Sequence, residues 1–430
     1  MKKIPFIILM GYLLFMGSCE SFDWPPNRNT ANPGDTLWIH DLPGTDSLFI
    51  DHSLAIGTDG SVYYAAGGGT VHWTASRIHA INKSDGSLKW RSGTLDHMGL
   101  SSEIVVGDDG TIYVIGFYTL YAIDPANGSF KWTWEVPETL PAPDGNGRVF
   151  TKGQIGALAL TDDGDLALGS VGSGVYSRAL YLVSKSGTMV WANLNANGGA
   201  IYTGISIGKN NTAFYLTTLL FGDAFKYAVA AADLSSGSIK WKTEIKSAGT
   251  GLNNIAINDD GTLCVAFSKP DENEIVLHKL DPGNGQIIWS GQEAVYPTSK
   301  LFDPSGQIIL LDGGFRTFDG SGVETHFQPG QFGSFDAKGR MVGSGSIDRI
   351  PLMFCYTTSG ILDFSVGMAG LMGFEMVIST DKVVYGIINL HPVSRIPTQI
   401  CAIQSDSPLS GSNWPRLGHD NRNTSNINKN

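Results

Sequence analysis

Charge is sparse in this chain: Asp, Glu, Lys and Arg together make up 16% of 430 residues. The basic residues are nowhere clustered and the net charge is −11. Phosphate backbones are held by grouped Lys and Arg, so a nucleic-acid partner is disfavoured. Amphipathic segments of 3.6-residue period are missing beyond the N-terminus, which counts against a helical bundle. Cysteine is rare, four in all, with no CxxC and no Cys/His spacing that would hold a metal. Cys264, Cys355 and Cys401 lie inside apolar runs and read as small buried hydrophobes. No HExxH, GxSxG or P-loop string occurs.

The N-terminus has the form of an export signal. Met1-Lys2-Lys3 is a short basic stretch, Ile4 to Phe15 is apolar, and Met16-Gly17-Ser18-Cys19 follows. The apolar run is shorter than the ~20 residues a spanning helix needs. The Gly-Ser-Cys ending resembles a lipobox in which Cys19 is lipidated and becomes the mature N-terminus, although Met16 stands where Leu is usual. Residues 1–18 are therefore expected to be a signal peptide. Residues 19–35, rich in Pro and Asn, read as a tether. The expected location is an envelope membrane, most simply the outer one, facing either the periplasm or the exterior.

Glycine, by contrast, is abundant, with 54 residues, as suits short strands joined by tight turns. One pattern recurs: a small residue, any residue, Asp or Asn, then Gly and, four further on, Trp. It runs Ala80-Ile81-Asn82…Gly86…Trp90, Ala122-Ile123-Asp124…Gly128…Trp132 and Ala231-Ala232-Asp233…Gly237…Trp241. Lys279-Leu280-Asp281…Gly285…Trp289 is a fourth copy, and Leu182-Val183-Ser184…Gly187…Trp191 a shortened one. The Asp or Asn opens a turn, the Gly takes positive φ, and the Trp falls on the next strand. Upstream of each copy, two apolar strands flank a turn of Asp-Gly type: GTDGS, GDDGT, TDDGD, GKNNT and NDDGT, then DPSGQ, DAKGR and STDK in later units.

Eight such hairpins imply eight four-stranded units, with Phe327 and Phe364 standing for Trp in the sixth and seventh. The eighth unit lacks a last strand, and a spare one, Thr36-Leu37-Trp38-Ile39-His40, lies at the other end of the chain. The expected fold is all-β, a single eight-bladed β-propeller over 36–405 closed by that N-terminal strand, with 406–430 packing on it as a tail. Closure removes the open ends that a linear array would expose. Trp38, Trp90, Trp132, Trp191, Trp241 and Trp289 are then docking residues between blades. Each excludes ~150–250 Å² from water.

These residues resemble the tryptophan-docking repeat of the quinoprotein-like propellers, a superfamily holding both PQQ-dependent dehydrogenases and the non-enzymatic BamB-type lipoproteins. The ending Asn413-Trp414-Pro415-Arg416-Leu417-Gly418-His419-Asp420 resembles a segment common in that superfamily. The resemblance implies the fold across roughly 36–425; it does not by itself imply the activity. The dehydrogenases resemble one another in a vicinal cysteine pair, a calcium site and a catalytic Asp, and this chain has no adjacent cysteines. The sequence leaves enzymatic function open and points against it. No cofactor, metal or catalytic residue is expected.

Loop length suggests where a partner would bind. In a four-stranded blade, the links after the second and fourth strands share one face. Length is concentrated there: 66–76, 137–154, 170–178, 219–226, 268–274 and 390–397. Loops on a rigid scaffold tend to carry function. The candidate partner-binding residues are His72, Trp73, Arg77, Phe150, Tyr176, Arg178, Phe221, Phe225, Arg349, His391 and Arg395, since exposed aromatic and Arg side chains make good anchors. The expected function is a non-catalytic envelope scaffold that binds another protein or complex. A glycan-binding propeller is the alternative, and a quinoprotein dehydrogenase a third reading.

Overall fold

The computed structural model describes residues 31–42, 49–67, 76–95, 103–137, 139–141, 149–151, 153–171, 179–194, 201–221, 224–245, 255–268, 275–291, 299–302, 305–311, 314–347, 350–367, 371–389, 399–411, 420, 424–426, 428 and 429. They form eight four-stranded antiparallel sheets. Blades 1 to 7 use consecutive strands within 49–91, 105–135, 154–194, 201–245, 256–290, 299–329 and 331–367. Blade 8 takes three strands from 371–404 and its fourth from Thr36–Asp41, which pairs with Gln399–Gln404. The first strands of neighbouring blades touch one another from blade 1 to blade 6 and from blade 7 through blade 8 back to blade 1, while the first strand of blade 7 meets the third strand of blade 6. First strands are therefore inner and fourth strands outer. The eight-bladed propeller expected from the repeats is the fold observed.

Each first hairpin is set by its turn. Gly60, Gly110, Gly164, Gly261, Gly306 and Gly339 have φ between 74° and 86°, and an aspartate folds back on the backbone N–H two residues on, as Ser61 and Thr111 donate to Asp59 and Asp109 at 2.9 Å. Blade 4 manages the same turn without glycine. Asn210 and Asn211 adopt φ of 59° and 52°, a region Asn tolerates better than most residues. Between blades, the strands bury aliphatic and aromatic side chains on both faces. Leu54, Tyr64, Val377, Tyr385 and Ile400 fill the seam between blades 8 and 1.

The closing strand brings its own copy of the repeat. Trp38 pairs with Ala402, as Trp90 does with Ala80. Gly34, four residues earlier, has φ 97° and donates to the Gln404 carbonyl at 2.7 Å. It thus stands where Gly86 stands relative to Trp90. The chain ends therefore rebuild a whole turn-and-strand unit from two distant segments.

The docking is equally regular. The indole N–H of five outer-strand Trp donates to a carbonyl in the next blade's last turn: Trp38 to Lys83 at 2.9 Å, Trp90 to Pro125 at 2.8 Å, Trp132 to Lys185 at 3.1 Å, Trp191 to Leu234 and Trp241 to Pro282 at 2.9 Å; that of Trp289 has no partner among the described residues. The benzo ring covers that blade's turn glycine. A Cβ added at Gly86 would lie 2.5 Å from Trp38, and one at Gly128 2.5 Å from Trp90. Only glycine fits, for reasons of both φ and space. Trp38 and Trp90 are buried; Trp132, Trp191, Trp241 and Trp289 are half-buried against the interblade cores.

Two details differ from expectation. In blade 6 the Trp place belongs to His326, not Phe327. His326 pairs with Thr317 just before the bulge, four residues after Gly322, and it is His326 that would meet a Cβ at Gly360. Phe327 is one step out of phase, 39% exposed, with the Arg316 guanidinium 4.1 Å above its ring. Phe364 does pair with Cys355 in the expected register. In blade 4, residues 219–226 are not a loop. The strands Thr212–Phe221 and Ala224–Asp233 stay paired to their tips, Phe221 opposite Ala224.

Candidate functional site

The ring has two unlike faces. One carries the Asp-Gly turns and the last-hairpin turns, and ion pairs tie these together. Lys89, one residue before Trp90, reaches Asp59 at 2.9 Å and Ser61 at 2.7 Å. Lys131 repeats the arrangement with Asp109 and Thr111, and Lys240 bonds Thr212. Burial works to raise the Asp59 carboxyl, but the bonds from Lys89 and Ser61 outweigh it and hold the group below its ordinary range.

Blade 7 inverts the charges. Arg340 takes the Ser61 place and Asp363 the Lys89 place, joined at 2.6 Å. The guanidinium, 4% exposed, also binds the fully buried Asp336 and Asp406 of the C-terminal segment, to which Lys338 adds a 2.5 Å contact. The Asp406 carboxyl is pushed down to about 2: burial would raise it, but Arg340 and Lys338 prevail. This cluster fixes the start of the tail.

The end of the tail is fixed on the opposite side of the ring. The Thr424 carbonyl accepts from Leu160 N–H at 2.9 Å and the Ser425 carbonyl from Ile207 N–H at 2.7 Å. The Asn426 amide donates to the Leu160 carbonyl and to Asp162, both at 2.8 Å. Lys429, 7% exposed, reaches Asp108 at 2.6 Å. Asp420 organises the approach by accepting from the Thr424 N–H and hydroxyl. The described ends of the tail thus contact blade 7 on one side and blades 2, 3 and 4 on the other, and blades 3 and 7 are diametrically opposed in a ring of eight.

The other face is formed by the opposite strand ends. Links there differ in length. Blades 2, 4, 6 and 7 turn tightly from second to third strand, as at Gly116–Thr119, Phe221–Ala224 and Leu311–Phe315. In blades 1, 3, 5 and 8 the described strands are separated by 68–75, 172–178, 269–274 and 390–398. The link from blade 2 to blade 3 carries an extra hairpin, Thr139–Pro141 with Val149–Thr151. The tail bonds described above lie on the turn face.

Arg77 is half-buried on the third strand of blade 1, paired with Ala66. Phe150 lies in the extra hairpin and Phe221 and Phe225 at the tip of blade 4, described through their backbone. His72, Trp73, Tyr176, Arg178, Arg349, His391 and Arg395 lie outside the described residues, as do Cys19 and the whole of 1–30. What spacing alone did not reveal is the turn-face latch: Lys429, Asn426 and Asp406 carry no motif that marks them.

The cysteines can be tested against the quinone chemistry of this fold. Cys264, Cys355 and Cys401 are buried in strands of blades 5, 7 and 8. Burial pushes the Cys355 and Cys401 thiols up to about 12. Lying in three separate blades, they do not fit the vicinal pair of the PQQ dehydrogenases.

The family model of the outer membrane protein assembly factor BamB matches residues 74–269, from the third strand of blade 1 to the end of the second strand of blade 5. A BamB of Yersinia pestis is 24% identical over 271 residues, covering 62% of this chain. The chain matches 61% of that relative's length. Among solved structures, Sqt1 of Chaetomium thermophilum superposes with a TM-score of 0.58 at 11% identity, covering 86% of this chain and 98% of its own. A europium-containing methanol dehydrogenase superposes with 0.53 at 12%, covering 86% and 96%. At such identities these likenesses show the fold alone.

Proposed function

We propose that this chain, a β-propeller of PQQ-like, BamB-type repeats, is a non-catalytic scaffold of the bacterial envelope that holds another protein or complex on its long-link face. The reading is carried by the one-sidedness of the ring. Ion pairs and the tail occupy the turn face, whereas the longest links leave from the other. A rigid platform with variable links on one side is built for recognition. Outer-membrane protein assembly, the role in the name of the Yersinia relative, is the process to which the proposal assigns it. Lipidation at Cys19 would hold the ring to the membrane and leave the face free. No redox cofactor enters the proposal.

The test is capture from detergent-solubilised membranes with the full-length chain as bait. A specific envelope partner should be retained, and lost when Trp73, Tyr176 and His391 are changed together to Ala. Retention of no partner above background, or of one indifferent to the triple change, would overturn the proposal. A Cys19→Ala chain should leave the membrane fraction for the soluble one; continued tight membrane association would remove the anchor from the account.

A further inference from the structure

The residue after each last-turn glycine opens the outer strand at the rim of the ring. It is polar in blades 1 to 5: Ser87, Ser129, Thr188, Ser238 and Gln286. In blades 6 and 7 it is Val323, 50% exposed, and Ile361, 65% exposed. These two belong to one stretch of rim, because His326 of blade 6 lies against Gly360, the residue before Ile361. Phe327 and Leu362 on the same two strands are also exposed. Free charge is withdrawn from this stretch as well. The outer strands of blades 1, 2 and 4 carry Lys89, Lys131, Lys240 and Lys242. The charged residues of the outer strands of blades 6 and 7 are Glu324 and Asp363, and each is neutralised, by Arg316 at 2.8 Å and Arg340 at 2.6 Å. An apolar stretch whose charges are already paired loses little on leaving water.

The connectivity of the chain points to what covers it. In blade 8 the same place is Asp35, after Gly34, and there the N-terminal segment enters the fold, with Ala31 packed on the seam between blades 8 and 1. Residues 19–30 are all that separates Ala31 from Cys19, and a chain of that length spans at most about 40 Å. We infer that the rim of blades 6 and 7 is a membrane-contact surface: Val323, Phe327, Ile361 and Leu362 enter the boundary between headgroups and acyl chains of the bilayer that holds Cys19. The inference rests on the lipid anchor proposed above. Acylation of Cys19 brings blade 8 to the bilayer, and blades 7 and 6 follow it along the ring. In the other direction blade 1 offers Ser87 and Lys89 where blade 7 has Ile361 and Asp363, which suits water. The ring then stands on its edge, and the long-link face looks along the membrane plane rather than into it, open to a partner.

The experiment is flotation of the mature chain, made without the signal peptide and with Cys19→Ala, on vesicles of phosphatidylethanolamine and phosphatidylglycerol. Millimolar lipid is used, so that a contact too weak to survive cell fractionation still registers. Part of the chain is expected to float, in ~0.5 M salt as in dilute buffer, since salt screens charges and not apolar insertion. The floating fraction should fall about five-fold or more when Val323→Ser and Ile361→Ser are combined, which restores the residue of blades 1, 2 and 4. Both side chains are exposed, so the melting temperature should stay within a few degrees. A bimane label at Ile361→Cys should shift to the blue on the vesicles, and one at Ser129→Cys should not; Cys264, Cys355 and Cys401 are buried and do not compete for label. The anchor is judged separately, by whether the acylated wild-type chain holds to the vesicles more tightly than this one, so a failed anchor and a failed rim are told apart. The proposal is overturned by absence of flotation, which leaves a protein as what covers the rim, by flotation unchanged in the double variant or abolished by salt, or by equal blue shifts at the two labels.

Discussion

Replacing Trp38 by Phe probes the seam that closes the ring. Trp38 is 1% exposed, donates to the Lys83 carbonyl at 2.9 Å, covers Gly86 and leans on Tyr385 with ring centroids 5.6 Å apart. Phe keeps an aromatic ring but loses the indole N–H and part of the bicycle. Deleting the bond removes ~1 kcal/mol and leaves the carbonyl poorly satisfied. The smaller ring leaves a cavity costing ~1–2 kcal/mol more. A loss of about 2–3 kcal/mol is therefore expected. Trp289→Phe is the internal control: its N–H has no partner to lose, so only the truncation cost of ~1–2 kcal/mol applies. The assay is urea denaturation of both variants, with amide hydrogen exchange of Val383–Asn389 and Val62–Gly67 to locate the damage. Trp38→Phe should be the more destabilised and should open the strands on either side of the closing seam. Equal losses, or exchange unchanged at that seam, would refute the reasoning.

Gly128→Ala should cost ~2–4 kcal/mol, because its φ of 76° and the Trp90 ring 2.5 Å from the new methyl both oppose it; thermal melting reads the loss. Arg340→Ala leaves Asp336 buried without its charge partner and should cost ~3–5 kcal/mol, with limited proteolysis showing the tail released near Asp406. The Asp406 carboxyl is ordinarily near 4 and sits at about 2 in the fold, so its contribution is intact above pH ~4 and lost as the pH falls toward 2; protease sensitivity of the tail should rise in that window and not above it. Burial lowers His278 to about 4. A depressed histidine withdraws stability as the pH drops from ~6.5 to 4, by up to ~3 kcal/mol, and His278→Gln should flatten that part of the stability profile.

Much of the ring is legible in the sequence because turn chemistry and the glycine-to-Trp spacing each recur, and each fixes register by itself. The closing strand could be read from Trp38 alone. Gly34 was harder, since the Asp that opens other copies is replaced and the two halves of the unit lie at opposite ends of the chain. His326 escaped because a search by aromatic character stops at Phe327, whereas counting four residues from Gly322 finds the pairing residue. The 219–226 hairpin was missed because its Gly-Asp pair reads as a loop, although the strands on both sides run up to it. The turn-face latch was not legible at all. Lys429–Asp108 and Arg340–Asp406 join residues 321 and 66 positions apart, and no local pattern announces such pairs.

The claim that the two faces have different duties is tested most directly by a photo-cross-linking amino acid placed in the living cell at Trp73, Tyr176 and His391, and separately at Thr58, Ser84 and Ser236 on the turn face. Adducts with one envelope protein from the first set, and none from the second, are the predicted result. Adducts confined to the turn-face positions would contradict the account.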